Sequence, residues 1–320
     1  MIRSFHSMQA TNSIIEPPVN LAVNIEEYVV SDVLLKIFSL LNFQDISQCI
    51  SLVSKKWEAL SNDPDLLKNV IWNETFNPTD WNRFFPDIAL TEFDCNYAFN
   101  SLPKTIGAMY KGPCPTFLNK KLGQTHVFVW MPKNLSINKF DALAKKYFPE
   151  KMDILSKITH ANYVGMDFST FMDTLNKRLE KFAEENKNNF GLAIDTDVLD
   201  AFGDVMTEES EWLIMPKNNL PIKIGGTFAE HQNIVNALEL SNFKSCSFPT
   251  VLEGMVSVST TFFKTHEEIL NVHATFCKED INNSAVIFSV ESSLFLTEVI
   301  DGLVQEEMSS APIRKFKSVT

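Results

Sequence analysis

The residues best suited to covalent chemistry lie in Gly112-Pro113-Cys114-Pro115 and in the Thr125-His126 pair that follows. A thiol with an imidazole in reach is the arrangement of a cysteine hydrolase: the imidazole takes the thiol proton and the sulfur attacks a carbonyl carbon. Here Pro113 and Pro115 clamp Cys114 in a turn. No helix N-terminus lowers the thiol pKa there, and no third group orients the base. The expectation is an ordinary thiol, with Cys114 and His126 kept as the catalytic pair of an alternative reading. Cys246, His266, His273 and Cys277 include zinc-ligating types, but their spacings match no usual ligand pattern and two fall in apolar runs. They read as core side chains, and neither a metal nor another cofactor is expected. Gly225-Gly226 after Pro-Ile-Lys-Ile has no third glycine and no Lys-Ser/Thr ending, so it reads as a turn and not as a phosphate cradle. The pairs Glu208-Glu209, Glu267-Glu268 and Glu306-Glu307 read as solvent-facing charge.

With little chemistry on offer, the bulk properties decide which partners remain. The chain has 320 residues, 45% hydrophobic and 21% charged, which is ordinary for a protein that buries a sizeable core. That length fits two unequal domains. Against 40 Asp and Glu stand 28 Lys and Arg, and the formal charge of -12 repels a phosphate backbone. No nucleic-acid partner is expected. Five scattered cysteines without a CxxC pair read as reduced thiols. No run reaches the roughly 18 apolar residues of a membrane span, and no basic segment followed by an apolar run opens the chain. The expectation is a cytoplasmic protein with no membrane partner.

The elements come next. Residues 1–27 are polar, contain Pro17-Pro18 and read as a loose arm. From Ser31 the pattern changes: a cap, then seven apolar residues in the nine from Val33 to Leu41. Asp45 with Gln48 predicts a second helix start, and Asp63-Pro64 a third. Residues 28–72 thus form an all-helical unit too small to hide its own apolar surface, so Leu34, Leu35, Phe38 and Leu41 cannot all be covered without another chain. Residues 73–104 read as a packed connector anchored by Phe76, Trp81, Phe84, Phe85 and Phe93. Beyond it lies a mixed α/β domain, 105–320. Strands are expected at Thr125 to Met131, Trp212 to Met215, Val272 to Cys277 and Ala285 to Val290. Helices are expected from Asp167, with Phe168, Phe171, Met172, Leu175, Leu179 and Phe182 on one face, and over Phe228 to Leu240 and Thr250 to Phe263. The fold class is α+β. No tandem repeat is present, and the 26 phenylalanines read as core packing.

The opening segment, VVSDVLLKIFSLLNFQDISQCISLVSKKWEALSNDPDLLKN, resembles the F-box family in its first helix, its Asp-Ile helix start, its Leu-Val-Ser-Lys-Lys-Trp stretch and its Asp-Pro-x-Leu ending. It departs from the family at Val29-Val30, where Leu-Pro is usual, and at Leu67, where Trp is frequent. The resemblance implies docking on a Skp-type adaptor, through it a cullin, and recruitment of a target protein to an SCF-type ubiquitin ligase. In family terms Phe38, Asp45 and Trp57 support the adaptor contact, with Val29 and Val30 on its approach and Phe38 as central anchor. KGPCPTFLNKKLGQTHVFVWMP, EWLIMP and APIRKF resemble a domain that follows F-box segments in proteins of amoeba-infecting chlamydiae. That likeness implies a bacterial effector working in the cytoplasm of a eukaryotic host. The alternative in this setting is a cysteine hydrolase acting on ubiquitin, with the F-box serving only recruitment.

Overall fold

A computed structural model describes residues 31–114, 117, 120–147, 191–220, 226–238, 243–270, 273–282, 284–291, 294–300 and 308–316. The helix expected from Asp167 lies outside the described residues, as does the arm.

The described chain opens with α1 (Ser31–Phe38), α2 (Phe43–Gln48), α3 (Lys55–Ser61) and α4 (Pro64–Glu74), with a 3₁₀ turn at Ile50–Leu52. Side chains satisfy the free N–H groups of the first turns: Asn42 accepts from Asp45, Ser54 from Trp57 and Asp63 from Leu66, while Pro64 sits where no N–H is needed. Two expected caps are corrected. Ser31 is already helical, and Asp45 lies inside α2, donating its backbone N–H to Asn42 and accepting from the Asn42 amide. Asn42 has the extended backbone a cap requires, which puts its carbonyl one turn ahead of Asp45. The helical segment also runs past Trp72, because α4 continues to Glu74.

Next come α5 (Pro78–Phe84) and α6 (Glu92–Ser101), each begun by a reciprocal capping box, Asn77 with Asp80 and Thr91 with Asp94. They are followed by α7 (Ile106–Lys111) and α8 (Leu122–Thr125). Trp81 is fully buried among Phe76, Phe85 and Phe140, with ring centroids 5.3–6.0 Å away, and its indole donates to the Trp130 carbonyl at 2.5 Å. Phe93 corrects the list of anchors: it is 76% exposed on the outer face of α6.

Nine strands follow among the described residues: β1 (His126–Met131), β2 (Gly191–Ala193), β3 (Glu211–Pro216), β4 (Phe243–Ser247), β5 (Ala274–Ile281), β6 (Ser284–Glu291), β7 (Leu294–Ile300), β8 (Met308–Ser309) and β9 (Ile313–Phe316). Helices α9 (Ile137–Tyr147), α10 (Thr196–Phe202), α11 (Phe228–Ala237) and α12 (Val251–Thr265) lie between them. One sheet is antiparallel in the order β1-β3-β9-β4. The three segments HVFVWM, EWLIMP and IRKF are thus adjacent strands. Phe76 extends this sheet beyond β1, donating to Phe128 and accepting from Trp130 at 3.0 and 2.8 Å. The second sheet has the order β2-β7-β6-β5-β8, with parallel outer pairs.

Helix α12 packs on β1 and β3 of the first sheet and on β5, β6 and β7 of the second. Every residue from Val251 to Phe263 is buried, and the polar ones among them are all small except Glu253. Gly254 is required there, because a Cβ would stand 2.7 Å from the Phe288 ring of β6. The hydroxyls of Thr260 and Thr261 donate to carbonyls one turn back, at 2.6 and 2.7 Å, which satisfies them without water. The whole is an α+β fold, a helical N-terminal region followed by mixed helix and sheet.

One hydrophobic cluster runs from Leu34 to Ile313 and joins the opening helices to the rest. Polar contacts seal the junction. The Glu74 carboxylate accepts the Phe43 N–H and, at 3.1 Å, the Tyr110 hydroxyl; Lys111 donates to the Ser61 carbonyl and to Asn62 at 3.1 and 2.7 Å. Burial raises the Glu74 carboxyl above its ordinary range. Leu67 lies against Gly107, where a Cβ would come within 2.6 Å.

Candidate functional site

Helix α1 is apolar on nearly every side, and the structure shows how the surplus is divided. Leu34 and Phe38 turn inward; Phe38 is 1% exposed and meets Trp57 edge-on at 5.2 Å between centroids. Leu35, Leu41 and Trp57 are half-buried against the same core. Val33 and Ile37, each 48% exposed, lie one turn apart on an adjoining side of the helix, and Leu40, 86% exposed, follows in the turn after it. Leu52 (82%) and Val53 (58%) lie bare at the end of the 3₁₀ turn. Half of the ten large hydrophobic residues exposed among the described residues therefore fall in this short segment.

Residues 31–71 match the F-box-like family. No curated protein and no solved structure matches the chain. The F-box segment thus stands on its own match, while no relative supports the likeness of the later strands to chlamydial proteins.

Placed on the structure, the expected docking residues separate. Val29 and Val30 lie outside the described residues. Leu34 and Phe38 are buried within the chain, so Phe38 is not an accessible anchor as it stands. The physical reason is that a small helical segment needs large apolar side chains for its own core. Asp45 is half-buried and held by Asn42. Leu35, Leu41 and Trp57 are half-buried and not among the exposed side chains. Val33, Ile37, Leu40, Leu52 and Val53, none of them among the expected docking residues, are the exposed ones. No periodic signal in the sequence singles them out: Leu40, Leu52 and Val53 lie outside regular α-helix, and Val33 and Ile37 are exposed only because packing turns Leu34 and Phe38 inward.

The Cys114–His126 pair is not assembled as nucleophile and base. Both ring nitrogens of His126 are engaged elsewhere, Nδ1 with Thr125 Oγ1 at 2.8 Å and Nε2 with the Arg314 guanidinium at 3.0 Å. A guanidinium only donates, so Nε2 accepts and the proton sits on Nδ1. Thr125 in turn donates to the Lys121 and Leu122 carbonyls, completing a consistent chain. Cys114 is buried, and its sulfur accepts the Phe117 N–H at 3.4 Å. Burial, then Arg314, lowers the His126 pKa from 6.5 to about 3. As pH falls below 6.5 the unfolded chain takes up a proton that the folded one refuses, so His126 withdraws stability progressively down to about pH 3 and has no effect above 6.5. NMR titration should show the ring neutral and unshifted throughout pH 5 to 8; a midpoint near 6.5 would contradict this burial.

The other candidate ligands are dispersed. Cys246 packs with Val235, Phe248 and Phe276 in a small separate cluster, Cys277 belongs to the main core, and His266 is the left-handed C-cap of α12. Among the described residues no group of three His, Cys, Asp or Glu is placed to hold a metal. No described helix is long and apolar enough to cross a membrane.

Proposed function

We propose that this chain is a substrate receptor: its F-box segment docks on a Skp-type adaptor through the Val33, Ile37, Leu40, Leu52 and Val53 face, and the larger domain presents a target protein to a cullin-based ubiquitin ligase. The observation that carries the reading is that these exposed apolar side chains all fall within the residues matching the F-box-like family. In this reading the chain supplies binding and no covalent step, and it works in a eukaryotic cytoplasm, where adaptor and cullin are found. The likeness of its later strands to chlamydial proteins would make it a bacterial effector there.

The test is calorimetry of the purified chain with a eukaryotic Skp-type adaptor, wild type beside Ile37→Ser/Leu40→Ser. A large apolar side chain is worth roughly 1.5–3 kcal/mol on burial, so the double variant should bind about 10- to 100-fold more weakly. Its circular dichroism should be unchanged, because both side chains face solvent in the free protein. No binding by the folded wild type, or full binding by the variant, would sink the proposal.

A further inference from the structure

On the far side of α12's N-terminus lies a cleft of about 660 Å³ that the F-box reading does not use. Its floor is apolar, with Met131, Ile137 and Leu252 all buried. Its lip is the loop after α10, where Val205 and Met206 stand 60% and 56% exposed with no described residue covering them. Its walls are acidic: Glu208, Glu209, Glu211, Glu253 and Glu279 face two lysines, Lys278 and Lys315. Lys315 is already committed, bridging Glu211 at 2.5 Å and Glu253 at 2.6 Å. That leaves three carboxylates against Lys278 among the lining residues.

Glu279 is the most informative of the three. Its two oxygens accept the Val251 N–H, at 3.0 and 3.1 Å, it also accepts its own backbone N–H, and Lys278 lies near enough to attract it. Burial first, then the neighbouring Glu253, raises its pKa to about 7. A carboxylate crowded in this way is favoured by an incoming cation, whose attraction offsets the desolvation and like-charge costs beyond what Lys278 supplies. The bare Val205 and Met206 side chains offer an apolar contact at the same rim, and methionine adapts to varied shapes.

We infer that this cleft is where the target is held, by a segment of another protein in which a Lys or Arg side chain pairs with Glu279 and the Glu208-Glu209 rim while an adjacent apolar side chain covers Val205 and Met206. The assignment rests on the receptor reading for the word target, but the ligand chemistry follows from the cleft alone. Basic and apolar together fit it; an acidic segment would meet uncompensated carboxylates and be repelled.

The experiment is a peptide array in which Lys, Arg, Glu, Asp or Leu is fixed at each position in turn, probed with the full chain and with Glu279→Gln and Met206→Ser. Glutamine keeps an oxygen for the Val251 N–H, so the fold is preserved while the charge is lost. Wild type should select Lys or Arg next to an apolar position. Each variant should bind the best peptide about tenfold more weakly, with adaptor affinity unchanged by calorimetry. No selection, selection of acidic positions, or undiminished binding by the variants overturns the inference. Self-association that disappears in Glu279→Gln also overturns it, in favour of a second copy as occupant. Basic selection without adaptor binding would uphold the cleft and bring down the receptor reading instead, so the two failures can be told apart.

Discussion

Phe38→Ala should lower the unfolding free energy by about 3–5 kcal/mol, the usual consequence of emptying a buried phenylalanine site. Phe38 is 1% exposed, meets Trp57 edge-on at 5.2 Å and shares a cluster with Leu34 and Ile46. A helical segment of this size has few other large side chains with which to refill the space. Urea denaturation followed by circular dichroism measures the loss, and calorimetry under conditions where the variant remains folded separates it from adaptor binding. Affinity of the folded variant should stay within a few-fold of wild type, in contrast to Ile37→Ser/Leu40→Ser, which should lose affinity and keep stability. If Phe38→Ala leaves stability within about 1 kcal/mol and abolishes binding, the ring is an adaptor anchor after all and the division of α1 into two faces is wrong.

Trp81→Ala should be at least as damaging, again about 3–5 kcal/mol, and should affect the whole described fold instead of one segment. Trp81 is completely buried, touches Phe76, Phe85 and Phe140, and donates its indole N–H to Trp130 of β1. Through these contacts α5 is tied to the sheet edge that Phe76 extends and to α9. Trp81→Phe keeps most of the apolar area and leaves the Trp130 carbonyl without its donor, a smaller loss of about 1–3 kcal/mol. Thermal unfolding of both variants should show one transition, displaced further in the alanine form. A second transition, with the strand-rich part surviving, would mean that residues 73–104 are a separable linker and not part of the common core.

Local signals were sufficient for several elements. Helices α4, α11 and α12 follow from Asp or Thr caps set before apolar residues at helical spacing, and β1, β3 and β6 from dense runs of β-forming side chains, whereas the separate start of α3 at Ser54 was not expected. These depend on neighbours a few residues away, which a sequence displays directly. The F-box segment was legible for the same reason. Which side of α1 is buried was not: with seven apolar residues in nine, periodicity cannot choose between Phe38 and Ile37, and only the packing of Trp57 and the later helices does so.

Strand β9 shows the limit most clearly. Arg314 and Lys315 make IRKF look like a solvated end, yet it is an inner strand between β3 and β4. Arg314 is buried with His126, 188 positions earlier, accepting from it, and Lys315 is half-buried between Glu211 and Glu253. A cation held off water needs acceptors or counter-charges around it, and these are brought together by the fold. The acidic cleft has the same origin: Met206, Glu211, Glu253 and Glu279 come from separate elements, and they form a surface only because α12 and the two sheets pack around it.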